Sequence, residues 1–292
     1  MDKEAIPRRA PAVLALAVAL ALALLAVAEM ASAAPSPYKQ PLIRDNCYYS
    51  HSNLDDPIVD PAPGMGHLHD HGGNTTTNAA STGESLEAGP SNCTRDGHNS
   101  ALWAPRLKWG GQDIVYENVG VYYRTTRGMN PLKTKNVPLH AQYIAGEGVG
   151  QTGKVLWHCG FKDNVRNSQD PPESCANQEL GVEVHFPPCW NGEKPESGGW
   201  RLKEPVKVRP GEFECRGSHD IQIPEIQFFF DYRLPQADGP VSIAVHEGYT
   251  EDSSRMHADY FGGENLGRLV NRCINKPFGE RRPAACATRP PQ

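Results

Sequence analysis

The sequence predicts a mainly β domain: a disulfide-stapled sandwich or jelly roll with long loops and one C-terminal helix. Three observations carry this expectation. Apolar runs are short, rich in β-branched and aromatic residues, and set between polar stretches in a chain with 28 Gly and 26 Pro. Strands do not alternate with helices as a doubly wound sheet requires. Eight cysteines are present, an even number that in an exported chain reads as up to four disulfides.

The elements follow in order. Lys3, Arg8 and Arg9 precede an almost unbroken Ala, Leu and Val run over residues 10–28, and Ala31-Ser32-Ala33 supplies the small residues of a cleavage site. Residues 1–34 therefore read as a signal peptide cut after Ala33 or Ala34. The competing reading is an uncleaved anchor, since the run is just long enough to span a bilayer. Residues 35–276 read as a single secreted β-rich domain, and 277–292 as a Pro- and Arg-rich tail. No second apolar run of that length follows, so no membrane partner is expected once the signal is removed.

The runs 114–116, 119–124, 140–144, 154–158, 181–186, 225–232 and 241–247 read as strands. Polar stretches at 72–92, 162–177 and 191–199 read as long loops, for which disulfides are the available pins. In 264–274, Leu266, Leu269, Val270, Cys273 and Ile274 fall on one helical stripe.

No two cysteines have the short gap of a zinc knuckle. Connectivity is not fixed by sequence. Shortest-loop pairing gives Cys159–Cys175, Cys189–Cys215 and Cys273–Cys286, leaving Cys47 with Cys93. Asn74-Thr75-Thr76 and Asn92-Cys93-Thr94 are glycosylation sequons, relevant in a eukaryotic host.

The formal charge of −5, without a basic stripe, argues against a nucleic-acid partner. No phosphate-cradling loop and no dinucleotide fingerprint is present. The informative stretch is Gly66-His67-Leu68-His69-Asp70-His71-Gly72-Gly73. In an extended chain, His67, His69 and His71 share one face, with Leu68 and Asp70 on the other. Converging neutral imidazoles suit a transition metal. His257 and Asp259 repeat the spacing, and Asp56 lies a short way before His67. His67, His69, His257 and Asp259 are thus the candidate catalytic residues and metal ligands. The cofactor they point to is a divalent metal (zinc, copper or calcium) or none. The bland alternative is a solvated or hydrogen-bonded histidine cluster.

Weaker candidates are Glu183 with His185, and carboxylate pairs of Glu183 with Asp231, Glu225 or Asp259 for glycoside hydrolysis. A solvated strand face is the commoner use of such residues. Ser218-His219-Asp220 is contiguous, unlike a triad, and reads as a turn. The five tryptophans could stack on sugars, but core packing is their commoner use.

Ordered motifs resemble a known family. They are Asp56-Pro57-Ile58-Val59, Gly66-His67-Leu68-His69 with Gly73-Asn74, Ser91-Asn92-Cys93-Thr94 and Ala101-Leu102-Trp103-Ala104-Pro105. Phe186-Pro187-Pro188-Cys189-Trp190-Asn191-Gly192, the Cys215, His219 and Ile223-Pro224 stretch, and Met256-His257-Ala258-Asp259-Tyr260 follow. Together they resemble the exported fungal and actinobacterial proteins catalogued as domain of unknown function nineteen-ninety-six. Members are often joined to carbohydrate-binding modules, which implies a cell-wall or polysaccharide setting. The family commonly carries another residue at His71. Gly66-His67-Leu68-His69-Asp70 is also similar to the start of the Gly-His-Arg-His-Asp-Trp-Glu heptapeptide of necrosis-inducing toxins, which implies that such a motif can serve a divalent metal on a β-sandwich.

The leading expectation is a secreted protein acting on or at extracellular or cell-wall polysaccharide through the His67/His69 site, as a metal-dependent or acid–base glycan hydrolase. Its rival is a non-catalytic glycan-binding protein with a structural histidine cluster. A metal-scavenging protein is a third reading. The sequence leaves oligomeric state open.

Overall fold

Alternation along Glu225–Arg233 sets the frame: Ile226, Phe228, Phe230 and Tyr232 are buried in the core while Glu225, Gln227, Phe229 and Asp231 take the opposite face. The computed structural model describes residues 42–146, 153–160, 168–195, 198–264, 266–276 and Cys286. The signal segment, and the tail apart from Cys286, lie outside the described residues.

The strands are β1 (Leu42–Asn53), β2 (His69–Gly73), β3 (Ala101–Pro105), β4 (Leu107–Trp109), β5 (Gln112–Ile114), β6 (Tyr116–Arg124), β7 (Gln142–Gly146), β8 (Lys154–His158) and β9 (Glu179–Phe186). They continue as β10 (Cys189–Trp190), β11 (Leu202–Lys203), β12 (Val206–Arg209), β13 (Glu212–Glu214), β14 (Ile221–Gln222), β15 (Glu225–Arg233), β16 (Val241–Val245), β17 (Gly248–Thr250) and β18 (His257–Phe261). The main sheet has nine strands in the order β7-β18-β3-β2-β1-β6-β15-β9-β8, every neighbouring pair antiparallel. Its two ends meet. A Cβ on Gly153, just before β8, would lie 3.1 Å from the Ala145 Cβ and 3.2 Å from the Gly146 nitrogen of β7. The result is a nearly closed barrel with small sheets beside it: β17-β16-β4-β5, β11-β10-β14 and the β12-β13 hairpin.

Large rings fill the barrel, among them Tyr116, Tyr123, Tyr143, Trp157, Phe228, Phe230 and Tyr260. All five tryptophans are buried, so none is an exposed platform. A second apolar cluster (Ile58, Leu86, Ala101, Trp103, Ile144, Phe261) lies apart from the barrel core. It takes residues from β3, β7 and β18, from the segment after β1, and from the short helix α1 (Gly83–Ala88).

All four disulfides of the shortest-loop pairing are formed, including Cys47–Cys93. The expected loop over 72–92 and the expected C-terminal helix both differ from what is observed. The stretch 72–92 contains α1, which Thr82 starts by accepting the Ser85 N–H while Ser85 reaches back to the Thr82 N–H. The C-terminal helix is short: α2 (Gly267–Leu269) runs into a wider π-type turn over Val270–Ile274. Glu264 lies before it, its carboxylate taking a two-bond ion pair from Arg95.

Candidate metal centre

The site is built on the face of β2, β3 and β18 that points away from the barrel core. In register, Asp259 opposes Trp103, which opposes His71. Alternation then sends His69, His71, Trp103, His257 and Asp259 to the same face. Asp70 takes the other, where it accepts from Ser52 and Arg106.

His67 is not part of β2, which begins at His69. It reaches the site because the preceding loop folds back. The Asp56 carboxylate accepts the Ile58 and Val59 N–H groups, both at 2.9 Å, and the Gly66 N–H donates to Leu54 O at 2.7 Å. A Cβ on Gly66 would lie 2.7 Å from that oxygen, so the close approach requires glycine.

The three imidazoles converge. Ring centroids of His67 and His69 are 4.1 Å apart, of His67 and His257 5.2 Å, and of His69 and His257 5.7 Å. One ring nitrogen from each lies within 4.8 Å of the other two, and Asp56, His69 and Asp259 form a second such group sharing His69. His257 Nδ1 lies 3.0 Å from Arg255 O, so the proton sits on Nδ1 and the Nε2 lone pair faces the cluster. The Asp259 carboxylate is 3.6 Å from His257 Nε2, and neither of its buried oxygens has a hydrogen bond among the described residues. His67 Nε2 and His69 Nδ1 are likewise unpartnered.

Burial and neighbouring positive charge hold His67 neutral, bringing it down to about 3, and burial brings His257 to about 4. His69, fully enclosed, is held well below its ordinary value, first by burial and then by its histidine neighbours. Burial, with Asp56 nearby, pushes Asp259 well above the usual carboxylate range. The set is neutral imidazoles beside a buried carboxyl group, Asp259, which burial holds toward its protonated form and which meets no Lys or Arg in a salt bridge among the described residues. A cavity of about 120 Å³ opens onto it, lined by Asp56, His67, His246, Arg255, His257 and Asp259 among others.

His246 and Arg255 were not singled out by the sequence reading. They arrive through the turn after β16 and the 3-10 turn before β18, and only tertiary structure pairs them with His67, whose ring is 5.8 Å from that of His246. His71 stays outside the converging set. Its ring is stacked 4.9 Å from His51 and 5.5 Å from Trp103.

The Glu183 and His185 pair sits elsewhere on the barrel. His185 lies between Glu183 (3.2 Å) and Glu225 (3.3 Å), and its pocket does not include Asp259. Of the weaker carboxylate pairings, Glu183 with Asp259 is not brought together: Asp259 lines a different cavity. Ser218-His219-Asp220 is a turn, closed by a bridge between Arg216 and His219. A further group of metal-ligand type, Asp45, Cys47, Cys93 and His98, is occupied internally: both cysteines are in a disulfide, and His98 bonds Asp45 and the Tyr123 hydroxyl. Both sequon asparagines are also engaged. Asn74 is buried and donates to Leu86 O and Asn99 O, and Asn92 donates to Tyr48 O.

Fold and site together define a disulfide-stapled, nearly closed β barrel with a His/Asp cluster of metal-ligand type on its outer face. The chain belongs to the family described as domain of unknown function (DUF1996), whose model matches residues 56–263 and so spans the cluster from Asp56 to Asp259. No curated protein and no solved structure matches it.

Proposed function

We propose that His67, His69 and His257 hold a divalent metal, with Asp259 and Asp56 beside it, and that the site is the centre of a secreted hydrolase acting on extracellular polysaccharide. The observation that carries the metal reading is the convergence of three neutral imidazoles whose ring nitrogens lie within 4.8 Å of one another. Three neutral histidines suit zinc or copper, whereas calcium wants oxygen ligands, so zinc is the first ion to test. A buried carboxylate without hydrogen bonds is costly, and a cation beside it would relieve that cost.

A metal there would lower the pKa of a bound water towards neutrality. Asp259, next to His257 and open to the cavity, is placed to take the water's proton. His246, at the rim, is placed to pass a proton to solvent. The polysaccharide substrate rests on the setting that the family resemblance implies. Four disulfides fit an oxidising location, and among the described residues no helix is long and apolar enough to cross a membrane.

The test is metal content by mass spectrometry on the oxidised mature protein, wild type beside His67→Ala/His69→Ala, followed by polysaccharide hydrolysis with and without chelator. Near-stoichiometric metal lost in the double variant, with chelator-sensitive turnover, supports the proposal. Failure of added zinc and copper to bind wild type overturns it.

A further inference from the structure

A second cleft, of about 710 Å³, opens on another part of the barrel surface. That volume is within the ~300–1,000 Å³ range of ligand sites. Its floor is one end of three neighbouring strands, Arg124 of β6, Glu225 of β15 and His185 of β9, with Glu225 opposite Arg124; Lys154 of β8, opposite His185, stands at the edge. The wall is the β12-β13 hairpin, which contributes Lys207 and Phe213, and the Pro187-Pro188 step after β9.

Charge in the cleft is unevenly satisfied. Glu225 is saturated: Thr126 donates to it at 2.6 Å, Gln227 also donates, and Arg124 and His185 stand at 3.6 and 3.3 Å. His185 is in turn held on its far side by Glu183. These groups cancel one another and form a rigid polar floor. Arg127, Lys154 and Lys207 remain on the rim, exposed, and none takes part in a salt bridge with the described residues. Glu204, near Lys154, is the one other carboxylate lining the cleft. A local surplus of positive charge therefore sits in a cleft of a chain whose formal net charge is −5. Apolar surfaces from Phe213, Pro187, Pro188 and Pro205 complete the lining.

From this we infer that the cleft binds an anionic oligosaccharide, its carboxylates or sulfates on Lys154, Lys207 and Arg127 and its sugar faces against Phe213 and the prolines. Rim cations give such binding a steep salt dependence, and the apolar wall gives preference for a ring over a simple anion. The site uses no residue of the imidazole cluster, so it stands or falls independently of the metal reading.

Isothermal titration of the oxidised mature protein with three oligosaccharides of equal length tests this: an oligogalacturonate, a sulfated oligosaccharide and a neutral cello-oligosaccharide. At least one anionic probe should bind tenfold or more tighter than the neutral one and weaken as salt is raised. Lys154→Glu/Lys207→Glu, changes at exposed positions, should abolish that preference, while His67→Ala/His69→Ala should keep it. Binding of the oligogalacturonate alone identifies a carboxylate ligand, and of the sulfated probe alone a sulfate ligand; both support the cleft. Failure of both anionic probes to bind overturns the inference, as does anionic binding unchanged in the charge-reversed variant.

Discussion

The imidazoles of His69 and His257, 188 residues apart in sequence, face each other with their Nε2 atoms 3.5 Å apart. At most one of these nitrogens carries a proton toward the other, and His257 has its proton on the opposite side, bonded to Arg255 O. Replacing His257 therefore removes one lone pair from the cluster without removing the strand that carries it. Zinc should raise the melting temperature of wild type, by an amount equivalent to about 2.7 kcal/mol at a hundredfold excess over its dissociation constant. In His257→Ala, zinc affinity should fall by at least about 100-fold, more than loss of an outer-shell partner causes. Calorimetric scans with and without zinc check this; an unchanged zinc shift in the variant would count against the assignment.

Asp259 gives a second prediction of opposite sign for the metal-free and metal-bound forms. Its carboxyl is held well above its ordinary range by burial and by Asp56. A group raised in this way makes the fold less stable as pH climbs above its unfolded value of 3.8. Asp259→Asn removes the ionisation, so the metal-free variant should match or exceed wild type in stability at pH 7 and lose part of wild type's gain on acidification. Its zinc affinity should drop. Urea melts across pH 4–8 read the first effect and zinc titration the second.

Much of this was legible in the sequence, and the remainder was not for identifiable reasons. The strands over 119–124, 181–186 and 225–232 were readable because each carries β-branched or aromatic residues at alternate positions and is half buried. β1 was missed: LIRDNCYYSHSN places Asp45 and Asn46 inside the molecule, where His98, Arg95 and a backbone bond receive Asp45, and no hydropathy pattern shows that. Helix α1 was missed because its signal is a capping pair, Thr82 and Ser85, rather than an apolar stripe. At the candidate site, the two-residue spacing was enough to put His69 with His71, and His257 with Asp259, on one sheet face. It could not foresee that His67 would arrive from a loop, that His71 would be taken up between His51 and Trp103, or that His246 would close the rim.

The Cys47–Cys93 disulfide ties β1 to the segment before β3, beside the buried Asp45–His98 pair. It closes a loop with a sequence separation of 46, for which chain entropy alone gives about 4 kcal/mol. Cys47→Ala/Cys93→Ala should lower unfolding free energy by that order. Chemical denaturation of wild type and variant measures it, and a loss under about 1 kcal/mol would show that the buried ion pairs hold this corner by themselves.

His185 and Glu225 set a pH window. Burial alone would raise Glu225, but hydrogen bonds from His185 and Thr126 and the Arg124 charge outweigh it and bring the group to about 2. Burial alone would lower His185, but Glu183 and Glu225 outweigh it and raise the group above 6.5. For Glu225 the folded value is depressed, so its contribution is complete above 4.5 and is lost as pH falls toward 2. For His185 the folded value is raised, so its contribution is complete below 6.5 and is lost as pH rises through the folded value. Both are fully present only between those limits, and the pair should contribute most to stability there. His185→Gln leaves Glu225 and Glu183 facing each other's side of the floor without the cation between them, which for a largely buried pair costs roughly 3 kcal/mol. The difference in unfolding free energy between wild type and His185→Gln should therefore be largest near pH 5–6 and shrink on both sides. A difference that stays flat from pH 4 to 9 would mean that His185 is held neutral and that the floor of the cleft carries an uncancelled negative charge.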